Sequence, residues 1–239
     1  MKSNEVKIGF DRFLANEWAN YSLELYLSSE DDENNYHLLK NYLHQEISGK
    51  ETARKTGNQL KRMWLISSDK EDFLRKSAKH ILLNHHVTNI NVFNLGMALN
   101  AFPVFKETCR RIGELSALQK EVYKRTIEER VMEQYLTPTS IPRIVARVLQ
   151  TLKDWGFIST QKDSITNIPL IIKEELVANW FIYSLLQMNT REELLLNELI
   201  FLPEKLGVMI PNIRDHLINT PNISIRRGFA GEEIVSIKK

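Results

Sequence analysis

The sequence predicts a mainly α protein in three parts: a helical N-terminal domain with helix-turn-helix character (residues 1–115), a winged helix-turn-helix (116–170), and C-terminal helices closed by a β-hairpin (171–239). Three observations carry this. Apolar residues recur at helical period through most of the 239 residues. Hydroxyl-x-x-Glu signals precede several of those stretches. Alternating, β-branched patterning is confined to two places, near 157–168 and 222–237.

In chain order, Asp11 to Leu27 sets Phe13, Leu14, Trp18, Tyr21 and Leu25 at roughly helical spacing, and Glu30-Asp31-Asp32-Glu33 after it reads as a solvated loop. A second helix, about Asn35 to Ile47, lines up Leu39, Tyr42, Leu43 and Ile47. Ser48-Gly49-Lys50-Glu51 has the form of a capping box and announces a third helix, about Gly49 to Leu65. Its apolar seam is narrow (Ala53, Leu60, Trp64), while Lys50, Arg54, Lys55, Lys61 and Arg62 face a single acid, Glu51. Such a helix suits contact with phosphates, and equally suits a solvated face whose basic stems cover apolar neighbours.

Ser68-x-x-Glu71 is a second box, opening a helix with Phe73, Leu74, Ala78, Ile81 and Leu82. His80, His85 and His86 do not converge on one helical face, so neither a metal site nor a cofactor is expected. Asn91 to Asn100, then Phe102-Pro103-Val104-Phe105 leading to Ile112 and Leu115, read as buried helices joined at a proline.

The clearest stretch runs from Lys120 to Ile168. A helix from Lys124 to Tyr135 sets Ile127, Val131 and Tyr135 four apart. The turn Thr137-Pro138-Thr139-Ser140 offers hydroxyl caps, and Pro142 falls in the first turn of the next helix, where a missing N–H costs little. That helix carries Ile141, Ile144, Val145, Val148, Leu149, Leu152 and Trp155 as one stripe, with Trp155 expected to fill the seam between the two helices, and Gly156 ends it. Arg143, Arg147 and Gln150 take the other face. Residues 157–160 and 165–168 around the turn 161–164 read as the wing, with Lys162 at its tip. In a DNA-reading version the second helix enters the major groove, Arg143 and Arg147 meet bases or phosphates, and Lys162 touches the backbone. Winged helices also serve as protein-protein modules.

Past the wing, Ile171 to Met188 reads as a long apolar helix, Thr190-x-x-Glu193 as the cap of another, and 212–218 as a short helix after Gly207 and Pro211. The last sixteen or so residues alternate around a Gly228 to Gly231 turn, a second hairpin. Arg226 and Arg227 at its tip extend a basic surface or protect a strand edge.

With 43% hydrophobic and 26% charged residues the composition is that of an ordinary folded protein, and a net charge of +2 leaves nucleic-acid binding to local clusters of Lys and Arg. The single cysteine, Cys109, excludes an internal disulfide and fits a reducing, cytoplasmic setting. No apolar run matches a signal peptide or a membrane span, so no membrane association is expected. No nucleophile elbow, phosphate loop, zinc spacing or nuclease-like carboxylate cluster stands in the chain, so the expectation is a protein that is not an enzyme.

Glu51-Thr-Ala-Arg-Lys-x5-Leu-Lys-Arg, Ala101-Phe102-Pro103-Val104-Phe105 leading to Arg111-Ile112-Gly113, and Arg130 through Leu152-Lys-Asp-Trp-Gly-Phe together resemble the BrxA family of bacterial BREX phage-resistance systems. The resemblance covers nearly the whole chain. It implies a small, mostly helical, non-catalytic accessory protein that binds double-stranded DNA and is encoded beside a methyltransferase and ATPases. By position it carries DNA contact over to Arg54, Lys55, Arg62, Arg143 and Arg147. A protein-protein scaffold and a stand-alone transcriptional regulator are the other two readings.

Overall fold

The computed structural model describes residues 9–66, 69–119, 121–135 and 138–238, most of them helical. Five helices fill the first part: α1 (Asn16–Ser28), α2 (Asp32–Glu46), α3 (Lys50–Leu60), α4 (Asp69–Asn84) and α5 (Asn91–Ala101). α3 continues into a π-helical turn, Lys61–Leu65. α5 is apolar nearly all round, as a buried helix must be, and α1, α4 and the π turn pack against it. Asn94 is tolerated inside this core because both ends of its amide are used: Oδ1 accepts from Trp64 Nε1 at 2.9 Å, and Nδ2 donates to Asn20 Oδ1 at 2.7 Å.

Several local expectations are corrected here. Residues 11–15 are not helical. The acidic run is a loop only in its first half: Asp31 caps α2 by accepting from the Asn34 N–H at 3.0 Å, and Asp32 and Glu33 sit in the first turn, where the helix dipole favours negative charge. The box at Ser48 does not form, because Gly49 is the N-cap and Glu51 is drawn to Arg54 instead. Ser68, Lys120, Thr137 and the first eight residues lie outside the described residues.

The middle of the chain is α6 (Pro103–Leu118), β1 (Val122–Tyr123), α7 (Lys124–Met132), a 3-10 turn (Pro138–Ser140), α8 (Ile141–Asp154), β2 (Ile158–Gln161) and β3 (Ser164–Asn167). The three strands form an antiparallel sheet in the order β1-β3-β2, with Val122 opposite Ile165 and Ile158 opposite Asn167. α8 buries the six-residue stripe from Ile141 to Leu152 and packs on α7, whose Ile127 and Val131 are buried, and on α6. Ser140 is the N-cap but makes no side-chain cap bond. Gly156, at φ +82°, ends the helix: its N–H donates to Lys153 O at 3.1 Å and the Phe157 N–H to Leu152 O at 2.9 Å, the paired bonds of a Schellman cap. Trp155 is buried, and its contacts run to the N-terminal segment and α6: its Nε1 donates to Leu14 O at 3.0 Å and its ring lies 6.0 Å from that of Phe105 on α6.

The last part holds β4 (Leu170–Ile171), α9 (Glu175–Met188), β5 (Glu193–Leu195), α10 (Leu196–Ile200), a 3-10 turn (Pro203–Lys205), β6 (Val208–Met209), α11 (Ile213–Asn219), β7 (Ile223–Arg227) and β8 (Glu233–Ile237). The long helix expected from Ile171 starts only at Glu175, because Leu170 and Ile171 are spent on a parallel pairing with β6. Thr190 does not cap a helix. Glu193 instead opens β5, an extra strand beside the expected hairpin, in the order β5-β8-β7. The cap of α10 is Glu198, which accepts from the Leu195 N–H at 3.0 Å. Buried apolar side chains form one cluster from Phe10 to Val235, and α6 itself runs across residue 115. No helix among the described residues is long and apolar enough to cross a membrane.

Candidate nucleic-acid interface

α8 buries one face and exposes Arg143, Arg147, Gln150 and Lys153 on the other. Steps of four, three and three residues keep these side chains on one stripe. Arg147 Nη1 donates to Gln150 Oε1 at 2.9 Å, which lays the guanidinium along the helix. Neither Arg143, Arg147, Lys153 nor Lys162 belongs to an ion pair among the described residues.

The stripe continues at both ends. Toward the β2–β3 turn, α8 and the sheet enclose a groove of about 240 Å³, where Lys153 meets Lys124, Lys162 and Asp163. Lys162 stands at φ +56°, left-handed backbone that a lysine adopts at some cost and that the two-residue turn demands. At the start of α8 lies a cleft of about 370 Å³ in which Arg143 and Arg147 face Arg12 and Phe13 from the N-terminal segment, Trp18 from α1, and Thr52 and Thr56 from α3. The N-terminal segment is fixed there by a bond from the Leu14 N–H to Thr151 Oγ1 at 3.0 Å and by the Trp155 bond to Leu14 O.

The five cations around α3 are engaged differently. Arg54 gives Nε and Nη2 to Glu51 at 2.8 and 2.7 Å, and Lys55 Nζ is 3.5 Å from the same carboxylate. The Arg54 hydrogen bonds, aided by Lys55, hold the Glu51 carboxyl down at about 2. Lys61 Nζ lies 4.3 Å from the centre of the Tyr36 ring, and the Arg62 guanidinium 5.4 Å from that of Phe102. Lys50 is exposed at the start of the helix. On the C-terminal hairpin, Arg226 Nη2 is 2.6 Å from Glu193 Oε2 across the central strand, and Arg227 stands opposite Glu233.

The ten residues singled out in the sequence therefore fall into three places. Arg143, Arg147 and Lys162 share the α8 face and the adjoining β2–β3 turn. Lys50, Arg54, Lys55, Lys61 and Arg62 occupy the α3 region, which meets that face only across the cleft. Arg226 and Arg227 line neither the groove nor the cleft. Three cations of the same surface were missed. Lys153 could have been found, because it continues the Arg143, Arg147, Gln150 stripe by one more turn. Lys124 opens a helix and reaches the β2–β3 turn only through tertiary packing. Arg12 had no local signal, standing 131 positions before Arg143.

Chemically, the surface offers long-stemmed cations and an amide: groups that neutralise phosphates and donate to base edges. The one thiol is not part of it. Cys109 is fully buried, and burial pushes its thiol well above the ordinary value. No family model matches the chain, and no curated protein and no solved structure matches it.

Proposed function

We propose that this protein is a non-catalytic binder of duplex DNA, that its middle part is a winged helix-turn-helix, and that α8 enters the major groove while the β2–β3 turn rests on the adjoining backbone. The observation that supports this best is the order helix, strand, helix, helix, strand, strand with the sheet order β1-β3-β2, combined with four cations on the outward face of α8 and the β2–β3 turn, Arg143, Arg147, Lys153 and Lys162, that have no ion-pair partner among the described residues. A buried stripe fixes which way α8 faces, so its cations are held outward as a set. The resemblance to the BrxA family agrees with this reading and extends it: an accessory DNA-binding component of a phage-defence system, working beside a methyltransferase or an ATPase. A scaffold role has one observation of its own, since Phe229 at the hairpin tip is fully exposed and Phe201 is 78% exposed, which suits docking to a protein.

Fluorescence anisotropy on a labelled duplex at low salt tests the proposal. Wild type should bind with little sequence preference, Arg143→Ala/Arg147→Ala should weaken binding about tenfold or more, and Arg54→Ala/Lys55→Ala should change it far less. Absence of wild-type binding, or equal binding by all three proteins, would transfer support to the scaffold.

A further inference from the structure

The cleft at the start of α8 has features that phosphate contact along a duplex does not require. We infer that it is a site for a phosphomonoester of a molecule that also bears an aromatic ring, a nucleoside monophosphate in charge and size.

Charge comes first. Arg12, Arg143 and Arg147 supply three guanidinium groups, against the single carboxylate of Asp11. That carboxylate is already committed, since its Oδ2 is 3.0 Å from Arg12 Nη1 and its Oδ1 accepts from Gln59 Nε2 at 2.8 Å. The balance of two positive charges matches a terminal phosphate, which carries about −1.5 to −2 near neutral pH, better than the single charge of a phosphodiester within a strand.

An aromatic wall comes second. Phe13 and Trp18 line the cleft with ring centres 5.8 Å apart and planes tilted by 59°. Planar rings stack on such side chains whatever their base identity. Third, two donors on cleft residues are buried without an acceptor among the described residues, Trp18 Nε1 and Arg12 Nε. A buried N–H without a partner is costly and uncommon, and a small rotation of either side chain toward the cleft would bring it within reach of a ligand oxygen. The cleft volume of about 370 Å³ lies within the range of small-molecule sites, about 300–1,000 Å³. Thr52 adds a hydroxyl from α3.

The same chemistry has two sources, a free nucleotide and the 5′-phosphate of a DNA strand end. Binding in the cleft is independent of the DNA reading. Its consequence, competition with a duplex for Arg143 and Arg147, rests on that reading.

Isothermal titration of the whole chain with adenosine 5′-monophosphate, adenosine and inorganic phosphate tests the site. The monophosphate should bind at least about tenfold more tightly than either fragment alone. Thr52→Glu adds a carboxylate from an exposed position on α3, where folding is not at stake, and should abolish that binding; Arg147→Gln should weaken it. Two blunt duplexes, one with 5′-phosphate and one with 5′-hydroxyl ends, then separate the sources. A Thr52-dependent preference for phosphorylated ends assigns the site to strand ends, and no preference assigns it to the free nucleotide. The inference is overturned if neither the monophosphate nor the phosphorylated end is favoured, if inorganic phosphate binds as well as the monophosphate, or if Thr52→Glu and Arg147→Gln leave binding unchanged. Titration with the 5′-hydroxyl duplex alone, without nucleotide, scores the DNA reading separately.

Discussion

Trp155 closes α8 and at the same time hydrogen-bonds a segment 141 positions earlier, so one side chain sets how the N-terminal segment meets the proposed reading helix. Trp155→Ala should therefore cost about 3–5 kcal/mol in a denaturant melt, the usual range for emptying a large core site; a loss under about 1 kcal/mol would mean the ring is not structural. Gly113 is constrained by contact, because a Cβ there would lie 2.1 Å from the backbone oxygen of Pro203. Backbone cannot rotate out of the way as a side chain can, so Gly113→Ala should destabilise by about 1–3 kcal/mol or more, read in the same melt. Glu204 gives a pH signature. Burial raises its carboxyl above the usual value, with Arg110 and Lys106 opposing the shift. A folded value above the unfolded one means that the stability it contributes is full below the unfolded value and is lost as pH rises through the raised one. Glu204→Gln removes that loss, so its stability relative to wild type should climb between acid and neutral pH. A pH-independent difference would contradict the burial.

Among the elements, α3 and α8 carry similar charge but use it differently. Glu51 occupies Arg54 and Lys55, whereas no acid pairs with Arg143 or Arg147 among the described residues. Glu51→Gln should then leave duplex affinity nearly unchanged; a several-fold gain in anisotropy titrations would move the interface to α3. α8 itself was legible in the sequence because a dense apolar stripe admits only one buried face, and the hairpins because their alternation is bounded by turn residues. The β4–β6 pairing was not: two-residue strands 38 positions apart have no periodicity, and Leu170-Ile171 extends the apolar run of α9 as plausibly as it forms a strand. The Ser48 box failed for a local reason, since Arg54 one turn on competes for Glu51 with a bidentate pair. On the site, Arg143, Arg147 and Lys162 were legible as an outward face, while Arg12 was not, because only the fold brings residue 12 to residue 143.

Across the whole molecule, the three stretches expected from the sequence share one apolar cluster and are stitched by polar contacts over long separations, such as the Asn16 N–H to Asp154 Oδ2 at 2.6 Å and Asn91 Nδ2 to Trp155 O at 3.0 Å. Thermal unfolding should accordingly be a single transition, and residues 116–170 expressed alone should lack a cooperative melt. Two resolved transitions in calorimetry would show that the stretches are independent. The same stitching places the α8 face, the β2–β3 turn and the N-terminal segment on one surface. That surface is the basis for the proposed DNA contact, and salt tests it most directly, because each phosphate neutralised releases counterions. The log–log slope of duplex affinity against salt should be steep for wild type and about two units flatter for Arg143→Ala/Arg147→Ala, from roughly −0.9 per phosphate contact. A wild-type affinity indifferent to salt, or identical slopes for the two proteins, would contradict a DNA interface on α8.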